Sequence, residues 1–320
     1  MQCHIGLGVG AMHTARVLQR HGIKAHAYGI WTPDQIRPLL SKHPDTTHCI
    51  IEAPWVPLGD TQQLLADHPY VRFAVRSHSN MAFLQVEAGA IVLLRDLMVL
   101  EDNVLNLDVA ANSAHLAHFF ERTYSGRCVY LPNLYDLERP RRKRDVQHDH
   151  RLVRVGRFGA LRLLKMHTAA ASAAMLLARD RGCDLEFYIS VDREEHGGGV
   201  IDALRAMFAN LPWARLIESP WQDWGHFRRT VEHLDLHVQA SGTETFNLTM
   251  ADAVSAGVKV VGSPAIEWLP AHWQVEADRI EDMARVGGAA LASNDAAGEQ
   301  FRALETFGER TVQLWLEYFR

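Results

Sequence analysis

The sequence contains few cysteines, and they form no recognisable site. Cys3, Cys49, Cys128 and Cys183 are the four cysteines among 320 residues, and no two of them form a CxxC pair. Thiols spaced this widely are typical of reduced cysteines in a cytoplasmic protein. We therefore expect no disulfide framework.

Signals for export and for membrane insertion are absent as well. Residues 1–22 contain no basic segment followed by an apolar run, so we expect no signal peptide. The apolar run 88–94 ends at Arg95 and Asp96, and it is far shorter than the ~20 residues that span a bilayer. The sequence thus predicts a cytoplasmic protein without a transmembrane segment.

Motifs for metal binding and nucleophilic catalysis are also missing. His148 with His150, and Glu194 with Glu195 and His196, lie in polar stretches without further ligands at metal-binding spacing. There is no Gly-x-Ser-x-Gly elbow and no Cys/His motif. We predict neither a metal site nor a cofactor. A net charge of −5 argues against a general polyanion binder.

What is present has the composition of an ordinary globular protein, with 48% hydrophobic and 22% charged residues. A chain of 320 residues fits two domains. Apolar runs alternate with helical patterns, which predicts an α/β protein with parallel sheets covered by helices. The predicted strands are 3–7, 23–28, 48–52, 71–76, 91–94, 109–111, 128–131, 152–155, 185–191, 214–218, 236–239 and 258–261.

A polar stretch separates two such series of strands. Residues 138–150 contain the run RPRRKR and no periodic pattern, so we predict a basic linker there. The N-terminal domain would comprise residues 1–137 and the C-terminal domain residues 151–304, with a helix in 305–320 returning to the N-terminal domain. Two Rossmann-like domains of this kind would face a cleft, because open α/β sheets bind ligands at the carboxyl ends of their strands.

The segment 234–263 is the most informative part of the chain. It predicts a strand, a polar loop with Glu244, a short helix with Asp252 and a second strand. The start of that helix, near Phe246, Asn247 and Leu248, would offer backbone N–H groups and a positive dipole end to phosphates. The two carboxylates would accept hydrogen bonds from sugar hydroxyls. This combination favours a site for a nucleotide diphosphate sugar.

Two structural explanations compete with that interpretation. Thr249 followed by Asp252 fits a helix N-cap with an acid three residues later, in which case Asp252 would serve only the helix. Capping does not account for Glu244, which would then be an ordinary exposed loop acid.

The same segment resembles the retaining nucleotide-sugar glycosyltransferases of the GT-B fold, family four, whose C-terminal domain carries the pattern EGFGLPxLEAMAxGxPVV. The resemblance implies that Glu244 contacts the donor sugar and that Asp252 contacts the ribose. Two positions depart from the pattern, because Asn247 replaces a glycine and Asp252 replaces the second glutamate. The positions that are kept are Glu244, Phe246, Ala253 and Gly257.

A basic stretch, 152–165, resembles the first strand and loop of the same domain. The family places an arginine and then a lysine on the donor diphosphate, and the matching candidates are Arg157 or Arg162, followed by Lys165. Such cations would neutralise the leaving diphosphate. A solvated basic loop is the alternative. Lys165 begins an alanine-rich helix, where a cation is unfavourable, and this favours a ligand role.

In the N-terminal domain, Gly6, Gly8 and Ala11 fit G-x-G-x-x-A, but no acid ends the predicted strand 23–28 as a dehydrogenase requires. We interpret the glycines as a tight turn, and the resemblance implies that Gly8 and Gly10 belong to a loop facing donor and acceptor. It also implies that His78, after a strand, faces the donor sugar. The chain has 18 histidines, so an incidental histidine at a strand end is the alternative.

The resemblance therefore implies a retaining glycosyltransferase that moves a sugar from a nucleotide diphosphate sugar, UDP- or GDP-linked, to a hydroxyl acceptor. Glu244, Lys165 and His78 would be catalytic. One alternative is glucosylation of a hydroxylated DNA base, which the basic run 139–144 would favour. Another is a nucleotide-sugar-binding protein without turnover, which the departures at Asn247 and Asp252 would favour. Trp221 and Trp224 would either stack on the nucleobase or pack in the core.

Overall fold

The computed structural model describes residues 6–124, 126–138, 151–195, 198–239 and 241–320. The chain divides into two compact units. Of the described residues, unit 1 comprises 6–136 together with Glu309–Arg320, and unit 2 comprises those within Leu137–Gly308. The predicted basic run 139–144 and the rest of the linker up to residue 150 lie outside the described residues.

Unit 1 is built on a four-stranded parallel sheet in the order β1-β2-β3-β4. Parallel neighbours need crossover connections, and helices provide them here. The strands are β1 His48–Glu52, β2 Arg72–Ser77, β3 Leu107–Ala111 and β4 Cys128–Tyr130. The helices are α1 Gly6–Arg20, α2 Ile36–Lys42, α3 Leu58–Asp67, α4 Met81–Leu84, α5 Ala88–Glu101 and α6 Ala114–Thr123, and a 3₁₀ turn spans Pro33–Gln35.

Unit 2 contains a five-stranded parallel sheet in the order β7-β6-β5-β8-β9. Its strands are β5 Leu152–Arg157, β6 Asp184–Ser190, β7 Ala214–Ser219, β8 Leu236–Gln239 and β9 Lys259–Gly262. The helices are α7 His167–Arg181, α8 Val200–Phe208, α9 Trp224–Val231, α10 Leu248–Ser255, α11 Ile280–Ala292 and α12 Ala296–Tyr318, with 3₁₀ turns at Leu163–Lys165 and Ala271–Trp273. The prediction of parallel sheets covered by helices is confirmed.

Strand order places a ligand site in unit 2 by a general rule. The chain winds outward from β5 to β6 and β7 on one side and continues from β8 to β9 on the other. The strand order therefore reverses between β5 and β8, and ligands of open α/β sheets bind outside the carboxyl ends of strands at such a point. Arg157 and Gln239 end these two strands.

Two predicted strands of unit 1 are wrong, and a third, 3–7, has its last two residues in α1 and the others outside the described residues. The run 91–94 lies inside α5, where Leu94, Leu97 and Met98 are buried at helical spacing. A short apolar run does not distinguish a strand from a buried helix face, and the length of the element decides. Residues 23–28 form no strand; Ile23 and Ala25 instead pack against the cluster around Trp315.

The predicted glycine turn is also wrong, because Gly6, Gly8 and Gly10 lie in the first two turns of α1. Val9 and Val17 are buried on one face of this helix. The burial of that apolar face outweighs the ~1 kcal/mol by which each glycine weakens a helix.

The end of α12 belongs to unit 1 and is anchored there by hydrogen bonds of aromatic side chains. Trp315 is fully buried, and its Nε1 donates to the carbonyl oxygen of Pro132 at 2.8 Å. The hydroxyl of Tyr318 donates to Oδ2 of Asp108 at 2.8 Å. None of the described helices combines the length and the hydropathy needed to cross a membrane.

Candidate functional site

The site in unit 2 is formed by two segments that follow β5 and β8. The first is the 3₁₀ turn Leu163–Lys165. The second runs from Ser241 to Asn247, at the start of α10. A backbone hydrogen bond joins them, because the N–H of Gly242 donates to the carbonyl oxygen of Leu164 at 2.8 Å. The reversal of strand order thus brings together residues about 80 positions apart.

Lys165 and Glu244 form an ion pair between these segments. Nζ of Lys165 donates to Oε1 of Glu244. The same carboxylate oxygen accepts a hydrogen bond from Oγ of Ser241 at 2.9 Å. The side chains of Lys165 and Glu244 are 16% and 8% exposed, so Glu244 is not an ordinary exposed loop acid.

Burial and charge oppose each other at this pair. Burial alone would raise the pKa of Glu244, but the positive charges of Lys165 and Arg157 and the hydrogen bonds it accepts keep that pKa below its usual value. Burial lowers the pKa of Lys165, and the charge of Arg157 adds to the effect, while Glu244 opposes it. The pair is therefore a lysine with a weakened hold on its proton beside an ionised carboxylate.

The two candidate arginines have different surroundings. Arg157 is completely buried, and its guanidinium donates to atoms of both segments. The side chain of Arg162 is 25% exposed and forms an ion pair with Glu195, to which its Nε donates at 2.7 Å. Of the two, only Arg162 has solvent-accessible side-chain surface.

Asn247 explains one departure from the family pattern. Its φ of 63° and ψ of 85° lie in the left-handed region, where a glycine is favoured and where asparagine is among the best tolerated other residues. Oδ1 of Asn247 also accepts a hydrogen bond from the backbone N–H of Met250 at 2.9 Å, which caps α10. Asn247 thus adopts the backbone conformation that suits a glycine and adds a cap.

The competing explanation, a capping box formed by Thr249 and Asp252, is wrong, because Asn247 is the N-cap and both residues lie inside α10. Asp252 is 2% exposed, and its Oδ1 accepts a hydrogen bond from Nε1 of Trp224 at 2.9 Å. The guanidinium of Arg228 lies over the ring of Trp224, 5.1 Å from its centroid.

Other predicted site residues have different surroundings. Phe246 is buried against Trp268 and Phe307, so its side chain is part of the core. Leu248 is half-buried in the first turn of α10. Trp221 is half-buried, and Cζ of Arg193 lies over its ring, 5.2 Å from the ring centroid.

The start of α7 has features that the sequence did not predict. Met166 precedes the helix with a φ of 52°, and no side chain caps the helix. His167 is the first residue of α7 and is buried, and neither of its ring nitrogens has a hydrogen-bond partner among the described residues. Burial lowers the pKa of His167 to about 2, with the charges of Arg157 and Lys165 adding to the effect.

In unit 1, polar side chains meet where the parallel strands end. Arg76 is fully buried, and its Nη1 donates to both carboxylate oxygens of Glu52, at 2.7 and 2.8 Å. Its Nε donates to the carbonyl oxygen of Leu131 at 2.8 Å, and its Nη2 donates to Asn133. Nε2 of His78 hydrogen-bonds to Oε2 of Glu52 at 2.6 Å.

His78 is held neutral in this network. Burial lowers the pKa of His78, and the charge of Arg76 adds to the effect, while Glu52 opposes it. Nε2 therefore carries the proton that is donated to Glu52, and Nδ1 accepts from Nδ2 of Asn112 at 3.3 Å. Both ring nitrogens are thus engaged within unit 1, so a ligand could bind the ring only by replacing one of these partners.

Several residues of these networks were missed from the sequence. Glu52 and Gln239 are the last residues of predicted strands, and Ser241 follows the second one closely. Polar residues at the carboxyl ends of parallel strands were the available signal. Among the described residues, no group of three histidine, cysteine, aspartate or glutamate side chains is arranged to hold a metal ion. His148, His150 and His196 lie outside the described residues.

Known structures share this architecture. A TarM variant from S. aureus, solved in complex with UDP, superposes with a TM-score of 0.64 at 16% identity over 88% of this chain. A UDP-forming α,α-trehalose-phosphate synthase from Burkholderia xenovorans, in complex with glucose-6-phosphate, gives 0.64 at 13% identity, covering 90% of this chain and 75% of the synthase. Sucrose-phosphate synthase from Thermosynechococcus elongatus gives 0.62 at 16% identity, covering 90% of this chain and 77% of that one.

These similarities define the fold. The chain spans 58% of the length of TarM. No protein-family model and no curated protein matches the sequence. The structural neighbours are GT-B glycosyltransferases, so the predicted resemblance to the GT-B fold is confirmed at the level of architecture.

Proposed function

We propose that the chain is a retaining glycosyltransferase that moves a sugar from a nucleoside diphosphate sugar to a hydroxyl acceptor. The observation that carries the proposal is the buried Lys165–Glu244 ion pair at the point where the strand order of unit 2 reverses. This is the position at which open α/β sheets bind nucleotides. The UDP in the structure of TarM agrees with the same ligand class.

The donor diphosphate would bind between the starts of two helices. Lys165 supplies a positive charge directly before α7, whose first N–H groups receive no side-chain cap. In α10, Asn247 caps the N–H of Met250; the N–H groups of Leu248 and Thr249 would then serve an anion. The helix dipole repels a lysine before a helix start, so an anion beside it is favourable; Glu244 is one such anion, and the diphosphate would be a second.

In the reaction, the bond between the anomeric carbon and the leaving phosphate oxygen breaks, and the acceptor oxygen forms the new bond on the same face. Lys165 and the helix dipoles stabilise the negative charge that develops on the diphosphate. The leaving phosphate takes the proton of the acceptor hydroxyl, so no side-chain base is required. Glu244, held ionised, accepts hydrogen bonds from hydroxyls of the transferred sugar.

The predicted roles of Asp252 and His78 are part of the proposal. One oxygen of Asp252 already accepts from Trp224, so ribose recognition would use its second oxygen. For His78 to face the donor sugar as predicted, a sugar hydroxyl would have to replace Asn112 as the donor to its Nδ1. Arg162 is the arginine that we assign to the diphosphate, because its side chain retains exposed surface.

The test is nucleotide release from a panel of UDP- and GDP-sugars, with sugar alcohols or water as acceptors. The wild type should release nucleotide from at least one donor. We expect a loss of 100-fold or more for Glu244→Gln and Lys165→Ala, on the order of the effect of removing one transition-state donor. Arg215→Gln is the control, since Arg215 lies on the surface and pairs with Glu186. Release from no donor, or unchanged release by Lys165→Ala, would contradict the proposal.

A second candidate is a nucleotide-sugar-binding protein without turnover. The hydrogen bond between Trp224 and the buried Asp252 favours it, since this acid is partly occupied by the protein itself. Thermal stabilisation by a nucleotide sugar, without any nucleotide release, would support this second function.

A further inference from the structure

Arg157 has the geometry of a residue that acts through its neighbours. The two terminal amino groups of a guanidinium carry four N–H bonds. Those of Nη1 donate to the carbonyl oxygen of Phe158 at 2.8 Å and to Oε1 of Gln239. Those of Nη2 donate to the carbonyl oxygen of Lys165 at 2.5 Å and to Oγ of Ser241 at 3.2 Å. All four are therefore used within the protein.

The remaining N–H, on Nε, is buried without a hydrogen-bond partner among the described residues, and the whole residue is 0% exposed. A phosphate that approached from solvent would therefore meet no part of this guanidinium. The family resemblance left Arg157 and Arg162 as equal candidates for the diphosphate, and burial distinguishes them.

The acceptors of Arg157 belong to the segments that carry the ion pair. Its bond to the carbonyl oxygen of Lys165 fixes the backbone of that residue. Its bond to Ser241 fixes a hydroxyl that donates in turn to Oε1 of Glu244. One buried cation thus holds both members of the Lys165–Glu244 pair without touching either charged group.

We propose that Arg157 is a positioning residue that sets the geometry of Lys165 and Glu244 from beneath the site and makes no contact with the donor. This inference rests on the proposed function, because the positioned pair is the proposed donor site. It assigns to Arg157 a role different from the direct phosphate contact that the family resemblance left open between Arg157 and Arg162.

A double-mutant cycle with Lys165 separates the two roles. UDP affinity would be measured by calorimetry for the wild type, Arg157→Lys, Lys165→Ala and the double variant. A lysine keeps the buried charge but cannot reach four acceptors, so Arg157→Lys should weaken UDP binding about tenfold. In the Lys165→Ala background its effect should be less than twofold, because Arg157 acts through Lys165. An equal loss in both backgrounds would show direct contact with the ligand and overturn the proposal.

Ser241→Ala leaves the buried charge of Arg157 in place and replaces Arg157→Lys in the double-mutant cycle if that variant does not fold. A positioning role predicts weaker UDP binding that again depends on Lys165. If Arg157 contacted the diphosphate itself, Ser241→Ala would release one of its N–H groups and leave binding unchanged or tighter. That result would also overturn the proposal.

A measurement without ligand keeps the inference separate from the proposed function. The pH dependence of Lys165 acetylation by acetic anhydride, followed by mass spectrometry, reports the pKa of its amine. Arg157→Lys keeps the positive charge but releases the acceptors that hold the Lys165–Glu244 pair. The pKa of Lys165 should therefore fall, because Glu244 is the group that raises it. Arg154→Lys, on the same strand and paired with Glu186, is the matched control and should change nothing. An unchanged profile in Arg157→Lys would refute the positioning role, whereas a wild type that binds no UDP would refute only the proposed function.

Discussion

Asn247 offers a quantitative test of how the start of α10 is built. Substitution by alanine removes the hydrogen bond to the N–H of Met250, which is worth about 1 kcal/mol for a typical N-cap. It also places an alanine at a φ of 63°. This conformation costs roughly 1 kcal/mol or more for a residue that has a Cβ and no side-chain group to offset the cost. We expect Asn247→Ala to lower the free energy of unfolding by about 2 kcal/mol.

Asn247→Gly is the matched variant. It removes the same hydrogen bond but relieves the backbone conformation, so its cost should be a few tenths of a kcal/mol. Urea unfolding followed by circular dichroism measures both values, and amide hydrogen exchange of Met250 should accelerate in both variants. If glycine destabilises the protein as much as alanine, the positive φ is not the reason for an asparagine here. If alanine has no effect, the cap does not contribute.

Three further predictions concern buried polar groups. The pKa of Glu52 is about 2 in the folded chain against a usual 4.5. Its contribution to stability is therefore present above pH 4.5 and is lost as the pH falls towards 2. Between these pH values, the urea midpoint of Glu52→Gln should change less with pH than the midpoint of the wild type. Burial lowers the pKa of His167 to about 2 from 6.5, so stability should fall as the pH drops below 6.5. His167→Leu should make that fall shallower in thermal unfolding without abolishing it, because burial lowers the pKa of His237 to about 3 as well. At pH 7 the variant should be neutral, or stabilising by up to ~1 kcal/mol; a destabilised variant would indicate a hydrogen bond to the ring. Tyr318→Phe should cost about 1 kcal/mol in urea unfolding by removing the hydrogen bond to Asp108, and an unchanged midpoint would contradict that bond.

The strands of unit 2 were predictable because each is a short apolar run between polar segments. The predicted run 236–239 coincides with β8, and the predicted run 185–191 differs from β6 by one residue at each end. The strand predicted at 91–94 is wrong because the neighbouring residues continue the apolar pattern at helical spacing. The glycine turn was not borne out because the three glycines share a helix with Val9 and Val17, whose burial depends on tertiary packing and is not encoded in the motif.

The candidate site was only partly predictable, for a different reason. Glu244 and Lys165 were predicted as site residues from local patterns and from the family resemblance, but their ion pair depends on β5 and β8 being neighbours in the sheet, which no local pattern encodes. The burial of Arg157 follows from the same pairing. In unit 1, the link between Glu52 and His78 likewise requires β1 and β2 to lie side by side.

The claim that Lys165 and the helix starts of unit 2 bind a diphosphate is tested most directly by comparing UDP with UMP in isothermal titration calorimetry. The wild type should bind UDP at least tenfold more tightly than UMP, which corresponds to about 1.4 kcal/mol. Lys165→Ala should lose most of that difference while its affinity for UMP changes little. Equal affinities for UDP and UMP in the wild type, or an undiminished preference in Lys165→Ala, would contradict the assignment of this site.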